Sequence, residues 1–556
     1  METIINRLES LIHGKNPTWT FPDTGRAYSL AEIKGVANTY ALEFVSLGLS
    51  AQDRVALIIN NSVELVAVLL ACWRLNLVAV PLKTKSGKYH NYVEFLNGCH
   101  RSCDFKLVVC DEGINQDDIQ LWRQELGIAV EGIREFSLVN KDGVIPRITP
   151  QPHDMAIVQF SSGSTGLPKG VIVTHEMLMN QLQHIDYSHS KNRRGKTAEI
   201  CASWTPIHHD LGLFTGVLYP IYCGSHHILG TPDYFMRNPS RWFRMLSDNR
   251  VDLTFFTNSA LAVSLRTIKR LYGDESIDLS TLHFYIAAEK ISPVVLRKVY
   301  DRFSPLKLLA ENVHSAYGMA ENSLGASRSE QGVIKIIRVV MSPEGVVRLA
   351  NEDDQDIIEL VSCGRANTRH VLTVRDEQDQ ILPELRLGEI NIESDCLTPG
   401  YINMPDATIA KLKGNRLRTG DLGFFHQEEL YFYTRMDDLI ILGGRNILPD
   451  DIEETVENIE FVRPSGSALL SLENNHSGLI ELHLVVEGDT NDDAIKIAEK
   501  QKILTLAVLE THEALITKVH LCARGSVEKT SSGKKRRKVI KQRLIESQLE
   551  LLTAAL

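Results

Sequence analysis

The chain has 556 residues, of which 43% are hydrophobic and 23% charged, and this composition is typical of a folded globular protein rather than a disordered or fibrous one. Its formal charge of -10 argues against a general nucleic-acid binder, so any phosphate ligand must be held by a local site. The length is sufficient for a large core and more than one domain.

The first third of the chain alternates helix and strand signals. Ser29 and Glu32 predict a capping box ahead of a helix that ends near residue 47, and an apolar strand follows over 53–60. The next window, 63–82, is apolar but interrupted by polar and charged residues, so it predicts a buried helix and strand and not a membrane span. The alternation continues to about residue 310 and predicts an α/β domain with largely parallel sheets.

The cysteines and the N-terminus bear on the cellular compartment. Nine cysteines, an odd number without paired metal spacing, predict a reducing, cytoplasmic setting. Cys99, His100 and Cys103 lie close together, but no second ligand pair follows at zinc-finger spacing, so we expect buried thiols rather than a zinc site. The N-terminus is acidic and lacks the apolar core of a secretory signal, and we expect no export.

A loop rich in glycine and hydroxyl residues follows, within Q-F-S-S-G-S-T-G-L-P-K-G-V-I-V-T-H at 159–175. Its glycines let backbone N–H groups approach a ligand closely, and Lys169 supplies a positive charge, so the loop predicts a phosphate cradle. The spacing of a Walker loop does not fit, because Lys169 is followed by Gly170. Apolar strands over 155–160 and 171–174 flank the loop; the alternative is a plain surface turn.

The chain changes character in its last third. The segments R-T-G-D-L-G-F-F at 418–425 and T-R-M-D-D-L-I-I-L-G-G-R-N at 434–446 precede about a hundred residues of mixed strands and helices. These end in the basic run K-T-S-S-G-K-K-R-R-K at 529–538. We predict a domain boundary at 435–438, and no internal repeat is visible in the sequence.

Together these motifs, with A-Y-G-M-A-E at 316–321, resemble the acyl-adenylate-forming superfamily of acyl-CoA synthetases, luciferases and peptide-synthetase adenylation domains. The resemblance implies a large N-terminal domain over 1–434 with stacked β-sheets and flanking helices, a hinge over 435–438, and a small mobile α+β domain over 439–556. It also implies the reaction: a carboxylate attacks the α-phosphate of ATP, pyrophosphate leaves, and a thiol then intercepts the acyl-adenylate.

The resemblance assigns ligand-binding roles to individual residues. Tyr317 would stack on adenine, Asp421 would accept both ribose hydroxyls with Arg435 beside it, and Glu321 would ligate Mg²⁺. Taken singly, these residues could equally be a buried structural tyrosine and surface charges. The loop would hold the β and γ phosphates through Ser161, Ser162, Gly163, Ser164, Thr165, Gly166 and Lys169. Two further residues would contact the nucleotide, namely Ala288 and Gly318.

Two roles fall in the C-terminal part. Lys534 would bridge the reacting carboxylate and the α-phosphate, and the small domain would pivot at Asp437 between adenylation and thiol transfer. Residues 443–446 would then face the thiol tunnel. The lysines and arginines that follow Lys534 are expected to be a solvated basic face, with nuclear targeting or nucleic-acid binding as the weaker interpretation; they are Lys535, Arg536, Arg537 and Lys538.

Two segments indicate the branch of the superfamily. S-W-T-P-I-H-H-D-L-G-L-F at 203–214 is similar to a segment of fatty acyl-AMP ligases, with His209 and Asp210 as the distinguishing pair. Trp204, His209 and Asp210 are expected at the acyl pocket, with core packing as the alternative. Residues 332–359 resemble the insertion that this branch associates with restricted domain movement and preference for a carrier protein; the alternative is a surface loop without that role.

The predicted function is therefore activation of a fatty acid with ATP and Mg²⁺ and transfer of the acyl group to an acyl carrier protein on a separate chain or neighbouring biosynthetic enzyme. The alternatives are an acyl-CoA synthetase and, more remotely, a non-catalytic adenylate-binding module; aryl and short-chain acids stay open as substrates. The sequence departs from the usual adenine-wall motif N-G-A-E-P, reading I-A-A-E-K at 286–290, and Thr434 and Glu528 replace the usual glycine and proline. None of these changes removes a predicted catalytic side chain.

Overall fold

A computed structural model gives the arrangement of most of the chain. It describes residues 2–84, 89–133, 143–161, 168–193, 195–330, 332–342, 344–354, 357–442, 445–473, 480–489, 492, 494–512, 514–529 and 534–552. The predicted phosphate-loop residues Ser162, Gly163, Ser164, Thr165 and Gly166 lie outside these described residues, as do residues 443–444 of the predicted tunnel segment.

The first layer is a six-stranded sheet. Its spatial order is Ala129–Gly132, Leu107–Cys110, Arg54–Ile58, Val78–Pro81, Met155–Ser161 and Lys169–Thr174. All neighbouring strands are parallel except the last two, which form an antiparallel pair. This pair is the one that the sequence predicts on either side of the phosphate loop, and both strands are confirmed.

Helices cover both faces of this sheet, because its central strand is apolar on both sides. Val55 and Leu57 pack into one core and Ala56 and Ile58 into another. The predicted capping box is confirmed: Ser29 N–H donates to Glu32 Oε2 at 2.7 Å, and the Ser29 hydroxyl accepts from the Glu32 N–H. The helices of the two faces are Leu30–Ser46 and Val63–Arg74 on one, and Tyr89–Cys103 and Gln116–Leu126 on the other.

The apolar window at 63–82 is a buried helix and strand, as predicted. Within the described ranges no helix combines the length and the apolarity that crossing a bilayer requires. All nine cysteines are free thiols. Cys99 and Cys103 are buried, and burial raises the pKa of Cys103 to about 12, so the prediction of buried thiols here is confirmed.

A second, nine-stranded sheet packs against the first through shared helices. Its order is Arg365–Ala366, Gly325–Arg328, Val313–Gly318, His283–Ile286, Leu253–Phe256, Ile200–Ser203, His226–Leu229, Thr18–Phe21 and Arg26–Ser29. One core cluster contains residues of both sheets, such as Val55 and Tyr285, together with Leu182 of the helix His175–Asn192. The stacked sheets with flanking helices confirm the predicted α/β fold class.

The other helices that the structure describes before residue 412 precede, connect or follow the strands of this second sheet. They are Ile4–His13, Asp210–Leu213, the π-helix Phe214–Leu218, Tyr219–Cys223, Pro232–Arg237, Pro239–Asp248, Asn258–Thr267, Pro293–Phe303, Pro405–Lys411 and the 3-10 helices Ile268–Leu271, Ser304–Leu306, Ala310–Asn312 and Ala320–Asn322.

Two antiparallel sheets complete the part of the chain up to Arg435, called the large lobe below. One consists of His370–Arg375, Gly388–Ser394, Arg416–His426, Leu412–Lys413 and Glu429–Arg435. The other has the order Val347–Leu349, Ile336–Met341, Ile358–Val361. It lies within the predicted insertion 332–359, except that its last strand extends two residues beyond it. The insertion is therefore a small folded sheet.

The part of the chain from residue 439 onward, called the small lobe below, mixes strands and helices around a core of its own. A turn at 436–438, inside the predicted hinge, separates it from the strand Glu429–Arg435. Its elements are Ile440–Leu442, Arg445–Ile447, Pro449–Glu457, Ser467–Glu473, Ile480–Glu487, Ala494–His512, Lys518–Cys522 and Arg537–Ile545.

Candidate active site

A cleft with a volume of about 1560 Å³ opens between the two lobes. The sequence predictions converge on it, because most of the predicted site residues whose side chains are described line this one space. They are Lys169, His209, Asp210, Ala288, Tyr317, Gly318, Glu321, Asp421, Arg435, Asp437 and Lys534. The side chain of Ser161 is outside the described part of the chain, and Trp204 is absent from this lining.

The predicted ribose contact is a hydrogen-bonded triad. The Tyr317 hydroxyl donates to Asp421 Oδ2 at 2.8 Å, and Arg435 Nε donates to Asp421 Oδ1 at 3.3 Å. Pairing of the strands Arg416–His426 and Glu429–Arg435 sets Asp421 directly opposite Arg435, which explains why these two motifs meet here. Burial, followed by the charge of Asp421, raises the pKa of Tyr317 well above its ordinary value, so the hydroxyl stays a donor.

The backbone around the triad is tightly fitted. A Cβ on Gly318 would lie 1.8 Å from the carbonyl oxygen of Leu324, so only glycine fits at this position. Ala288, in the predicted adenine wall, has φ of 70°, a left-handed conformation that is strained for a residue with a Cβ. Both residues line the cleft, and strain of this kind is common at ligand-binding sites.

Glu321 is held by a tyrosine that the sequence analysis missed. The Tyr401 hydroxyl donates to Glu321 Oε1 at 2.7 Å, and Lys169 Nζ lies 5.5 Å from the centre of the Tyr401 ring. Tyr401 also pairs by its backbone with Val171 on the strand that follows the phosphate loop. It therefore ties three predicted site elements together; the turn residues T-P-G that precede it were the available sequence signal.

The predicted magnesium ligand can be tested on this geometry. Glu321 lines the cleft, and its hydrogen bond with Tyr401 fixes a carboxylate beside the strand that carries Lys169. One carboxylate combined with substrate phosphate oxygens is a donor set that Mg²⁺ accepts, since it binds hard oxygens and keeps several waters. The residues present therefore fit Mg²⁺, with Glu321 as the protein ligand.

His209 and Asp210 lie at the start of the helix Asp210–Leu213 and face the cleft opposite Lys534. Burial, and then the positive charge of Lys534, lowers the pKa of His209 to about 4, so this imidazole is neutral at pH 7. Burial also raises the pKa of Asp210, whereas Lys534 acts in the opposite direction. Lys534 is thus close enough to the large lobe to affect the ionisation of both side chains.

Glu289 is a second residue that the sequence analysis did not single out. Both of its oxygens accept hydrogen bonds from Ser259, one from the backbone N–H at 2.7 Å and one from the hydroxyl at 2.9 Å. Burial raises its pKa, and Lys534 and Lys535 oppose that shift. Glu289 therefore contributes a fixed carboxylate to the cleft, on the side that faces Lys534 of the small lobe.

The lobes are joined beside the cleft by polar contacts of the helix Pro449–Glu457. Lys290 Nζ lies 2.9 Å from Asp451 Oδ1, and the Ser292 hydroxyl donates to Glu454. Lys290 is the residue that departs from the usual proline of the adenine-wall motif. In this structure that departure supplies an ion pair between the lobes.

The predicted solvated basic face after Lys534 is wrong for two of its four residues. Lys535 is 12% exposed and pairs with Glu453 at 2.6 Å and Glu457 at 2.7 Å. Arg537 is 11% exposed and contacts Asp438 and Glu453. Because Glu453 and Glu457 lie about eighty residues earlier and Asp438 about a hundred, the local sequence could not predict that these two side chains would be mostly buried against them. Lys538 is exposed, as predicted, and Arg536 is partly so.

A second, smaller cavity of about 70 Å³ adjoins the cleft. The two share lining residues at the predicted nucleotide site, namely Asp210, Ala288, Ala316, Tyr317 and Gly318. Ile185, Leu211, Phe255 and Leu324 supply apolar wall to the smaller cavity. Trp204 instead stacks on Phe235 with ring centres 4.0 Å apart, in the core of the large lobe, which corresponds to the core-packing alternative for this residue.

The chain is similar in sequence to known proteins. The sequence profile of the family described as AMP-binding enzyme matches residues 13–402. The chain is 28% identical over 513 residues to a putative fatty-acid–CoA ligase of Mycobacterium tuberculosis, covering 88% of this chain and 87% of the relative. It is also 28% identical over 507 residues to a long-chain-fatty-acid–AMP ligase of Mycobacterium marinum, covering 87% and 86%.

The fold has a counterpart among solved structures. A structure from a study of fatty acyl-adenylate ligases from E. coli and L. pneumophila superimposes with a TM-score of 0.87 at 25% sequence identity. The match covers 99% of this chain and 98% of that one. Both lobes therefore follow a known arrangement over nearly their whole length.

Proposed function

Since this chain belongs to the family of AMP-binding enzymes, we propose that it activates a fatty acid with ATP to an acyl-adenylate and then passes the acyl group to the phosphopantetheine thiol of an acyl carrier protein. The observation that carries the first step is the position of Lys534 in the same cleft as the Tyr317–Asp421–Arg435 triad and Glu321. A cation from the small lobe thus faces a nucleotide-binding surface of the large lobe.

The residues of the cleft divide the work of adenylation. Asp421 accepts the ribose hydroxyls, and Tyr317 and Arg435 hold that carboxylate in place. Lys169 and Lys534 place positive charge where negative charge develops on the phosphate oxygens in the transition state. Mg²⁺ bound at Glu321 would neutralise further phosphate charge. Because His209 is neutral at pH 7, the positive charge that attracts the incoming substrate carboxylate is mainly that of Lys534.

The folded insertion supports transfer to a carrier protein. Arg297 forms a two-pronged ion pair with Glu359, with both distances 2.7 Å, which fixes the insertion to the large lobe. Its strands share a core cluster with Leu448, at the start of the small-lobe helix Pro449–Glu457. An insertion that packs on both lobes would restrict their relative movement, the property that the resemblance links to use of a carrier.

An acyl-CoA synthetase is the second candidate, and the relative described as a putative fatty-acid–CoA ligase favours it. Both candidates share the adenylation step, so they differ only in the thiol that accepts the acyl group. We place either activity in the reducing environment of the cytoplasm, because all nine thiols are free.

Product analysis would separate these functions. The protein would be incubated with ATP, Mg²⁺ and a series of carboxylic acids, with no acceptor, with CoA, or with a panel of pantetheinylated carrier proteins, and products would be identified by mass spectrometry. We expect acyl-adenylate that persists with CoA and is consumed by a carrier. Efficient acyl-CoA formation would favour the synthetase, and absence of pyrophosphate release with every acid would refute both.

A further inference from the structure

Two adjacent residues of the large lobe, Glu289 and Lys290, have opposite charges, and each is close to opposite charge on the small lobe. Lys290 Nζ lies 2.9 Å from Asp451 Oδ1, and only 16% of the Lys290 side chain is exposed. Burial raises the pKa of Glu289, and the positive charges of Lys534 and Lys535 act in the opposite direction. Because the two residues are neighbours in the chain, both meet their opposite charges in one orientation of the small lobe.

The partner of Lys290 lies on a helix that makes a second contact with the large lobe. Asp451 and Glu454 both belong to the helix Pro449–Glu457, and the Ser292 hydroxyl donates to the Glu454 carboxylate. Burial acts to lower the pKa of Lys290, but the negative charge of Asp451 is the first of several that outweigh it, and the pKa is raised. The ammonium group therefore stays charged, and an ion pair and a hydrogen bond hold this helix against the large lobe.

The same helix anchors the chain segment that carries Lys534. Lys535 Nζ lies 2.6 Å from Glu453 Oε2 and 2.7 Å from Glu457 Oε1. Arg537 also contacts Glu453, whose side chain is only 1% exposed. Lys534 immediately precedes Lys535, so the position of Lys534 in the cleft follows the position of this helix.

We propose that Lys290 is a positioning residue for adenylation, which holds the helix Pro449–Glu457 through Asp451 in the orientation that places Lys534 in the cleft. It acts through the ion pairs of this helix rather than on the substrate itself. An orientation of the small lobe that separated Lys290 from Asp451 would lose this pair, so the pair favours the first step of the reaction over the second. This inference rests on the proposed adenylation and adds a residue that this step requires.

The size of the effect follows from the fraction of molecules that have Lys534 in the cleft. A neutral side chain in place of Lys290 would leave Asp451 without its partner at the lobe interface and would make this orientation less favourable. The rate of adenylation then falls in proportion to the fraction of competent molecules, because the chemistry at Lys534 is unchanged. We expect a fall of roughly tenfold, the effect of losing one hydrogen bond to a charged group.

Lys290→Met tests this on the full chain, because it keeps the length of the side chain and removes the charge. Single-turnover pyrophosphate release with saturating ATP, Mg²⁺ and a fatty acid should slow by roughly tenfold, and Lys290→Arg, which retains the charge, should keep most of the rate. Lys307→Met is the matched control, since Lys307 pairs with Asp278 at 3.5 Å and neither residue lines the cleft. A wild-type rate for Lys290→Met would overturn the inference.

A double-mutant cycle distinguishes positioning from general damage to the cleft. If Lys290 acts through Lys534, Lys290→Met should slow pyrophosphate release little or not at all in the Lys534→Ala background. Equal slowing in both backgrounds would overturn the inference and leave the proposed adenylation intact. Absence of pyrophosphate release from the wild type with every acid would instead refute the adenylation. If Lys290→Met does not fold, Asp451→Asn removes the same ion pair from the small lobe and takes its place in the cycle.

Discussion

The hydroxyl of Tyr317 donates a hydrogen bond to Asp421 across 104 residues of sequence, with an oxygen–oxygen distance of 2.8 Å. Because Arg435 holds the other oxygen of the same carboxylate, the orientation of Asp421 is fixed from two sides. A carboxylate fixed in this way can meet two ribose hydroxyls without first losing rotational freedom.

Tyr317→Phe therefore keeps the aromatic ring and removes only the hydroxyl that orients Asp421. We expect the KM for ATP to rise about tenfold, with kcat changed less, because a hydrogen bond to a charged group contributes on the order of 1.5 kcal/mol. Steady-state pyrophosphate release over a range of ATP concentrations measures this. Tyr272→Phe is the control, since Tyr272 does not line the cleft and its hydroxyl donates to the Arg302 carbonyl rather than to Asp421. An unchanged KM for ATP would show that Asp421 needs no support from Tyr317.

Lys534→Ala should remove the cation that the small lobe brings to the reacting groups. We expect adenylation to slow by roughly 10²-fold, comparable to the loss of one preorganised donor to a developing oxyanion. Stability should change little, because the side chain is exposed. Lys541→Ala, on the helix Arg537–Ile545, is the control for loss of a lysine from the small lobe. Wild-type pyrophosphate release by Lys534→Ala would refute its catalytic role.

The sequence predicted those parts of the molecule that depend on local pattern. The capping box at Ser29, the two strands around the phosphate loop and the buried helix Val63–Arg74 all depend on residues within a few positions of each other. The motif residues also line one cleft, although their strands belong to different sheets, and their joint resemblance to one superfamily is what predicted this.

Contacts between distant segments were not predictable in the same way. Lys535 and Arg537 are buried because Glu453, on another helix of the small lobe, supplies their charge partner. Tyr401 contacts Glu321 from eighty residues away, and the turn residues before Tyr401 predict a turn there but not this hydrogen bond. That the buried Arg328 lines the smaller cavity is likewise visible only in the folded structure.

Buried neutral histidines should make the fold sensitive to acid. His283 Nδ1 lies 3.1 Å from His314 Nε2. Burial is the main reason why the pKa of His283 is lowered to about 4 and that of His314 to about 3. The unfolded chain protonates near pH 6.5, before the folded protein does, so stability falls as pH decreases from about 6.5 toward 4. Above pH 6.5 these two groups contribute no pH dependence.

Urea unfolding at a series of pH values between 7.5 and 4.5 would measure this loss. His314→Asn removes one of the two groups, and its free energy of unfolding should fall less steeply than that of the wild type, by up to about 1.4 kcal/mol per pH unit in this window. Replacement of the exposed His13 by Asn is the control and should keep the wild-type slope. Equal slopes for His314→Asn and the wild type would contradict the assignment.

The turn at 436–438 is where the small lobe would pivot between adenylation and thiol transfer. Asp437 lies in this turn and pairs with Lys538 at 2.9 Å, both side chains being largely exposed. Asp437→Pro fixes φ near -65° at this position, so we expect adenylation to persist within a few-fold while transfer to a thiol acceptor is lost. Single-turnover assays that follow pyrophosphate release and acyl transfer separately would measure both steps.

Lys538→Ala removes the same ion pair without restricting the backbone and should leave both steps near wild type, because exposed ion pairs contribute little. Equal loss of both steps in Asp437→Pro would show that the residue supports the structure of the cleft rather than the movement of the lobe.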